Sequence, residues 1–494
     1  MGEVYNKIEL TNTFKDIDMR VLLINPPYDI KKYMGKLSKM AFVFPPIGLT
    51  YIAGYLREKD IDVSIFDYQA NDETIESVIN NFNPDIFGIT CQTSLVYSTI
   101  ELSKRLKREF PEKKIIVGGV HASLRPQDLL KEESIDYVVN GEGEVTMFEF
   151  VEAIQSGSEP GKVPGVLYMG DGKISGGSPR AMTADLDTIP MPAIDLLPIH
   201  RYRVSPDMRT GDTVGVLITA RGCPFNCIFC SSVLLTQRKY HMHSIERVCK
   251  EVERFIQDYG VNQLFIVDDN FGVNKRRSKE LCREFIHRGF QKKITWWADA
   301  RVDCVDEELL TLMKEAGCSI ISYGVESGSQ RLLDYIKKGI TLEQVRETVR
   351  ITKKVGIDIR ATLILGLPTE TREESLQTIE FAKELKIAQV RFALATPFPG
   401  TQLYDIAREE EGFTSDDWTS FSLMSGYVSD TPIYVPKGRD GKELAQLQRR
   451  ANMYYFFKPR TIMVYLRRIN SFSAFRDISL GALRFFWATY FRAK

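Results

Sequence analysis

Two runs of short apolar segments alternating with amphipathic ones limit what this chain can fold into more than any other feature. From Met19 the first run reads as buried strands at MRVLLIN (19–25), DVSIF (62–66), DIFGITC (85–91), KIIVGG (114–119) and DYVV (136–139). Helical patterns such as TIELSKRLKREF (99–110) lie between them. Five strand–helix units of this length predict a doubly wound parallel sheet of the Rossmann or flavodoxin-like kind, whose ligands bind beyond the C-terminal ends of the strands. The loops at those ends, NPPYD (25–29), CQTS (91–94), GGVHAS (118–123) and GEGE (141–144), are rich in glycine and small polar residues, as a cradle for a large polar ligand would be. None contains GxGxxG or GxxxxGK, so neither a dinucleotide site nor a P-loop is indicated.

The second run offers strands at VGVLITA (214–220), QLFIVDD (263–269), ITWWADA (294–300), SIISYGVE (319–326), DIRATLIL (358–365) and AQVRFALAT (388–396). Helical patterns follow the first five, among them SIERVCKEVERFIQDYG (244–260) with Ser244 as its expected N-cap. Six such units predict an open, partial (β/α)6 barrel whose functional residues sit on the loops after the strands. Between the runs, residues 157–210 hold a small hairpin turning at Gly170–Gly172 and the proline-rich DTIPMPAIDLLP, which reads as a linker. The expected organisation is a tail (1–18), a first domain (19–156), the linker (157–210), a barrel (211–430) and a helical C-terminal region (431–494).

Composition narrows the function. Lys+Arg and Asp+Glu number 65 each, which removes any global attraction to nucleic acid. The polar start of the chain has no apolar core like that of a signal peptide, and no stretch approaches the roughly 20 apolar residues of a spanning helix. Eight cysteines without paired spacing argue for a reducing, cytoplasmic setting.

Three of those cysteines stand in RGCPFNCIFCSS (221–232), directly after the first barrel strand, spaced CxxxCxxC. A disulfide is unfavoured in the cytoplasm, and a structural zinc needs a fourth ligand that the spacing does not supply. Three thiolates on a Gly-Pro-Asn loop fit an iron–sulfur cluster with one iron left open to a small-molecule ligand.

This triad, with Phe229 before its last cysteine, resembles the radical S-adenosylmethionine (SAM) superfamily. So do VDDNF (267–271), ADAR (298–301), YGVESGS (323–329), LILGLPTET (363–371) and TPFPGTQLYD (396–405), in order, while VGGVHASLRPQDLL and IDYVVNGEGE resemble the cobalamin-binding domain of the cobalamin-dependent subgroup. The resemblance covers about residues 19–430. It implies a 4Fe–4S cluster on Cys223, Cys227 and Cys230, SAM chelated to the open iron, and cobalamin in the first domain. It implies SAM contacts at Phe229, Asp268, Asp269, Arg301, Glu326 and Gly366, with Arg301 toward the SAM carboxylate and Gly366 toward the adenine. A salt-bridge network at the barrel mouth is the other reading of Asp268, Arg301 and Glu326. Cobalamin contacts are implied at Thr93, Ser94, Gly118, Gly119, His121, Gly141, Glu142 and Gly143; no catalytic side chain is implied. Because no DxHxxG motif surrounds any of the five histidines, the lower cobalt ligand is expected to be something other than histidine.

The implied activity is anaerobic methylation of an unactivated carbon. Oxidative cyclisation, as in the family's tetrapyrrole cyclase, and a non-enzymatic cobalamin or redox sensor are the alternatives. A flavodoxin or ferredoxin is the implied electron donor. Residues 449–494 carry ten Lys/Arg, one acid (Asp477) and twelve aromatics. That composition points to an interfacial membrane helix, with a packed helix as the competing reading, and hence to a hydrophobic substrate such as a lipid or tetrapyrrole. The histidines of HMH (241–243) are expected in an exposed loop, and Cys91, Cys249, Cys282, Cys304 and Cys318 as small core residues.

Overall fold

Both runs fold as parallel sheets in the computed structural model, which describes residues 19–28, 42–205, 207–421 and 431–467. The first sheet contains β1 (Arg20–Asn25), β2 (Asp62–Asp67), β3 (Ile86–Thr90), β4 (Lys114–Gly118) and β5 (Tyr137–Val139), in the order β2-β1-β3-β4-β5. The chain moves one way from β1 to β2 and the other way to β3, so the topological switch, where a ligand crevice opens, lies between β1 and β3.

The hairpin expected in the linker extends this sheet. β6 (Val166–Gly170) and β7 (Lys173–Gly176) add antiparallel to β5, with Val138 opposite Leu167 and Val139 opposite Val166. Its two-residue turn places Asp171 and Gly172 at φ 48° and 73°, the doubly positive conformation that matches the twist of a hairpin.

In the second domain β8 (Val214–Leu217) is followed by a two-residue antiparallel ribbon, β9 (Ala220–Arg221) with β10 (His241–Met242). Then come β11 (Gln263–Ile266), β12 (Thr295–Ala300), β13 (Cys318–Glu326), β14 (Asp358–Leu365) and β15 (Gln389–Leu394). The order β15-β14-β13-β12-β11-β8, all parallel, is the partial six-stranded barrel. Ser244 caps the helix Ile245–Gln257 as expected, its hydroxyl accepting from the Arg247 amide at 3.2 Å.

A barrel of six strands leaves β15 as an open edge with unpaired backbone groups. The helix Gly441–Phe456 covers it. Asn452 accepts from the Phe392 amide and donates to the Phe392 carbonyl, both at 3.0 Å, and Gln448 donates to the same carbonyl at 3.0 Å. The start of the basic, aromatic terminus is therefore packed on the barrel, with Ala451 and Tyr455 buried. Residues 468–494, which carry the longest apolar runs of that segment, lie outside the described residues. Among the described residues no helix is long and apolar enough to cross a membrane.

The linker ties the domains together. Tyr202 donates to Asp67 at 2.9 Å and Asn25 donates to the other oxygen of that buried carboxylate, also at 2.9 Å. The histidines of HMH do not lie in an exposed loop: His241 is half-buried in β10 and His243 is buried. His241 meets the Ala184 carbonyl at 3.1 Å, and the buried His243, its pKa pushed down to about 4 chiefly by burial, meets Asp187 at 3.2 Å.

Replacing Asn452 with leucine preserves volume but leaves the buried Phe392 amide without a partner. Asn452→Leu should lower unfolding stability by about 1–3 kcal/mol, read as a shift in denaturant midpoint with unchanged slope. An unchanged midpoint would show that the β15 edge does not need this cover.

Candidate functional site

The thiol loop leaves β9 through Gly222, at φ 96°, where a Cβ would sit 2.0 Å from the Lys239 carbonyl. Only glycine fits there. Asp269 holds the turn by accepting from the Gly222 amide at 2.8 Å. Farther along, the Ile228 amide donates to Ile336 at 3.2 Å and the Leu403 amide donates to the Ile228 carbonyl at 3.0 Å, so the loop is pinned to the barrel mouth. Cys223, Cys227 and Cys230 are all half-buried. Burial pushes each thiol up, Cys230 to about 11, and the charges of the neighbouring sulfurs add to the rise at Cys223 and Cys230. Deprotonating all three therefore needs a cationic group among them. Among the described residues no three His, Cys, Asp or Glu side chains converge on one ion position. A cluster gives each thiolate its own iron, whereas a single zinc would need a fourth ligand.

The residues expected to meet SAM divide into two groups. Asp269 is exposed beside the thiols. Asp268 is not at the mouth. It is buried behind the loop, accepting from the Thr219 amide at 2.6 Å, the Thr219 hydroxyl at 2.5 Å and the Ala220 amide at 3.0 Å, and burial raises its pKa to about 6. Its lone pairs brace the turn from β8 to β9.

Arg301 is 5% exposed and fully engaged. Its guanidinium pairs with Asp303, donates to the Lys338 carbonyl and to the Cys227 sulfur at 3.7 Å, and stacks 3.6 Å from the centre of the Phe225 ring. Glu326 pairs with Lys338 at 2.7 Å, both buried, and Lys338 lies 6.0 Å from the Phe229 ring centre. Glu326 also adopts φ 65°, a conformation a non-glycine residue keeps only where its surroundings impose it. Gly366, at φ 78°, faces Leu444 and Pro436 rather than open space. The salt-bridge reading thus describes Arg301 and Glu326 as they stand.

Below the loop, strand pairing places inward side chains in layers. Asp299, Ser322, Arg360 and Gln389 share one layer; Gly324, Thr362 and Arg391 share the next. Phe265 and Trp297 stack at 3.6 Å on the floor, with Phe44 of the first domain 5.5 Å from Phe265. Sequence reasoning passed over this lumen, although polar residues alternating inside RATLIL and VRFAL were its signal.

A cavity of about 840 Å³ opens at the switch point of the first sheet. Seven of the residues the resemblance assigns to cobalamin, Thr93, Ser94, Gly118, Gly119, Gly141, Glu142 and Gly143, line it together with Val120, Gln92 and Asn25. A Cβ at Gly141 would meet nothing within 4 Å, so the glycine leaves room on the wall. This volume is near the upper end of the range for small-molecule sites.

His121 is the exception. Gly119, at φ 101°, turns the chain so that Val120 faces the cavity, while His121 is wholly buried, 3.4 Å from both Thr93 and Asp128 and edge-on to Trp418. The cavity reaches the barrel: Arg221 and Ser231, which bracket the three cysteines, line it too. Arg221 is bonded to Glu142 at 2.9 Å and Glu144 at 2.6 Å. Burial alone would raise the Glu142 carboxyl, but the Arg221 charge and the Thr183 amide outweigh it and hold the pKa below the usual value.

A half-barrel with three thiols at its mouth faces a cavity at the edge of a doubly wound sheet, an arrangement that fits the two-cofactor resemblance of the sequence. Comparison agrees. Residues 36–151 match the B12 binding domain and residues 217–382 the radical SAM superfamily. An uncharacterized methyltransferase of Pyrococcus horikoshii is 35% identical, over 95% of this chain and 99% of that protein. The anaerobic magnesium-protoporphyrin IX monomethyl ester cyclase of Rubrivivax gelatinosus is 30% identical, over 90% of this chain and 79% of that protein. In fold, the chain is similar to the cobalamin-dependent SAM radical enzyme OxsB, with a TM-score of 0.72 at 17% identity, covering 94% of this chain and 72% of that one. The chain belongs to the cobalamin-dependent radical SAM enzymes, whose cofactors are a 4Fe–4S cluster, SAM and cobalamin. Family membership sets aside the non-enzymatic sensor.

Proposed function

We propose that this enzyme methylates an unactivated carbon of a small molecule bound between its two domains. The observation that carries the reading is the shared wall: Arg221 and Ser231, on either side of the cysteine triad, line the cavity of the first domain. Two cofactor sites that share a wall can act on one substrate. When bound, the cluster supplies the electron that cleaves SAM to a 5′-deoxyadenosyl radical, and cobalamin supplies methyl-transfer chemistry. A radical is required because no protein base deprotonates an sp³ carbon that lacks an activating group.

In this reading Cys223, Cys227 and Cys230 hold the cluster. Arg301 steadies Cys227 through its hydrogen bond and braces the loop by stacking on Phe225. The Glu326–Lys338 pair and Asp269 border the place where SAM lies, and Thr93, Ser94, Gly118, Gly119, Gly141, Glu142 and Gly143 cradle the cobalamin. Val120 takes the wall position expected of His121 and offers no ligand atom. Reduction comes from a low-potential donor of the flavodoxin or ferredoxin class, in a cytoplasmic, oxygen-poor setting. Ring-forming oxidation is the second reading, and the identity with the Rubrivivax cyclase favours it.

Anaerobic reconstitution should load about four irons per chain. Cys223→Ala, Cys227→Ala and Cys230→Ala should each lose them, while Cys249→Ala, at a buried core thiol, should not. Incubation with methyl-labelled SAM and an extract of small molecules should give one product carrying the label, seen by mass spectrometry. A product that loses hydrogen without gaining the label would favour cyclisation.

Cobalamin bound to the enzyme should show, in the electron paramagnetic resonance of its Co(II) form, no nitrogen splitting from the protein, and His121→Ala should leave that spectrum unchanged. Nitrogen splitting that disappears in the variant would contradict the placement of His121.

The terminus also bears on the substrate. Phe457, Ile462 and Met463 are 42%, 43% and 50% exposed beside Lys458 and Arg460. Apolar side chains ringed by cations suit an anionic lipid surface, which would deliver a lipid-like or tetrapyrrole substrate. Sedimentation with anionic vesicles should fall with added salt and vanish when residues 457–494 are removed. Equal sedimentation of the truncated enzyme would assign these side chains another role.

A further inference from the structure

On the proposed reading, the substrate enters the barrel below the thiol loop, where Arg391 has no partner among the described residues. Arg391 lies mid-strand on β15, opposite Thr362, which lies opposite Gly324 on β13. Phe392, its neighbour in sequence, faces outward onto Tyr455 at 5.9 Å, so alternation turns Arg391 into the lumen. The Gly324 layer reaches the machinery above it: a Cβ there would meet the Glu326 carboxylate at 2.4 Å and the Lys338 ammonium at 2.9 Å. Arg391 is two strand steps from Gly324, roughly 10 Å along the sheet.

Among the described residues three carboxylates lie on the lumen face: Asp299, facing Ser322 and Arg360; Glu326, paired with Lys338; and Asp358, opposite Ile320 at the far end of β14, four residues below Thr362. Half-buried Arg391 makes no hydrogen bond and no ion pair with any described residue. The Thr362 hydroxyl is likewise unengaged. A guanidinium with five donors in a planar fork, held inside a barrel with no partner among the described residues, suits a planar or tetrahedral oxyanion. Below it, Phe265 and Trp297 stack on each other and make the floor of the same lumen apolar.

We propose that Arg391 and Thr362 bind an anionic group of the substrate, a carboxylate or a phosphate-type oxyanion, and so fix which carbon faces the SAM site. Arg391 is thereby a specificity residue, and the substrate an anion with an apolar body.

The test uses the full-length reconstituted enzyme with SAM bound and three probes of one shape: benzoate, phenylphosphonate and neutral benzyl alcohol, followed by saturation-transfer NMR. The anions should bind and the alcohol should not, and whichever anion binds more tightly names the oxyanion class. Arg391→Gln should weaken anion binding about tenfold, and Arg391→Lys should restore part of it. Equal binding of the alcohol, or anion binding that survives in Arg391→Gln, overturns the proposal. SAM affinity, measured in the same samples, should stay within about twofold. A larger loss would mean that Arg391 grips the carboxylate of SAM instead, and would also overturn it. If the wild-type enzyme yields no 5′-deoxyadenosine under reducing conditions, the proposed function itself fails; deoxyadenosine without Arg391-dependent anion binding defeats this inference alone.

Discussion

Arg221 is the ionic joint on which the geometry of this enzyme depends. It ends the short ribbon from which the thiol loop springs, two residues before Cys223. Its guanidinium is shared by Glu142 and Glu144 of the first domain and lies 5.3 Å from the Tyr51 ring centre. Burial would make the cation easier to lose, but the two carboxylates hold it firmly protonated. Tyr51 continues the network into the barrel, with its hydroxyl 3.3 Å from Glu251, which in turn pairs with Arg247 at 2.8 Å. Breaking a buried set of this kind by removing one member leaves an uncompensated charge, at a cost of about 3–5 kcal/mol. The network fixes the thiol loop to the wall of the first domain's cavity, and the proposed chemistry between the two domains depends on that registration.

Around the mouth the protein spends its polar groups on rigidity. Arg301 is shared among a carboxylate, a carbonyl, a sulfur and a ring, Glu326, at φ 65°, is paired with Lys338, and behind the loop Asp268 satisfies a turn. Such residues position the groups that touch cofactors. A site whose reactive intermediate is a primary radical gains from this, because every loose side chain nearby is a hydrogen donor in the wrong place. The lumen below is different in kind, with Arg391 and Thr362 unpartnered among the described residues above an apolar floor.

Much of this was legible in advance. Each expected strand exists within one to three residues at its ends, because fully buried parallel strands write themselves as continuous apolar runs. The CxxxCxxC spacing, followed by an ordered set of post-strand motifs, located the mouth, and the glycines of GGVHAS and GEGE located the cavity. Where the reading went astray, the sequence held the right loop and the wrong side chain. Within GGVHAS, His121 had the chemistry, but the positive φ at Gly119 gives the wall to Val120. The hairpin at 166–176 looked like linker because nothing local reveals that β5 is an edge waiting for a partner.

Sequence alone determined the element types, their order and the three thiols. These follow from hydrophobic periodicity and from ligand chemistry within a dozen residues. Only the tertiary structure decided which polar side chains are occupied and which are free. Asp268 is engaged by Thr219, Glu142 by Arg221 and Asn452 by Phe392, partners 49, 79 and 60 residues away. A hydrogen bond consumes a donor regardless of its distance along the chain, so no local pattern distinguishes Arg301, which is fully engaged, from Arg391, which is not. That difference is set when the strands align.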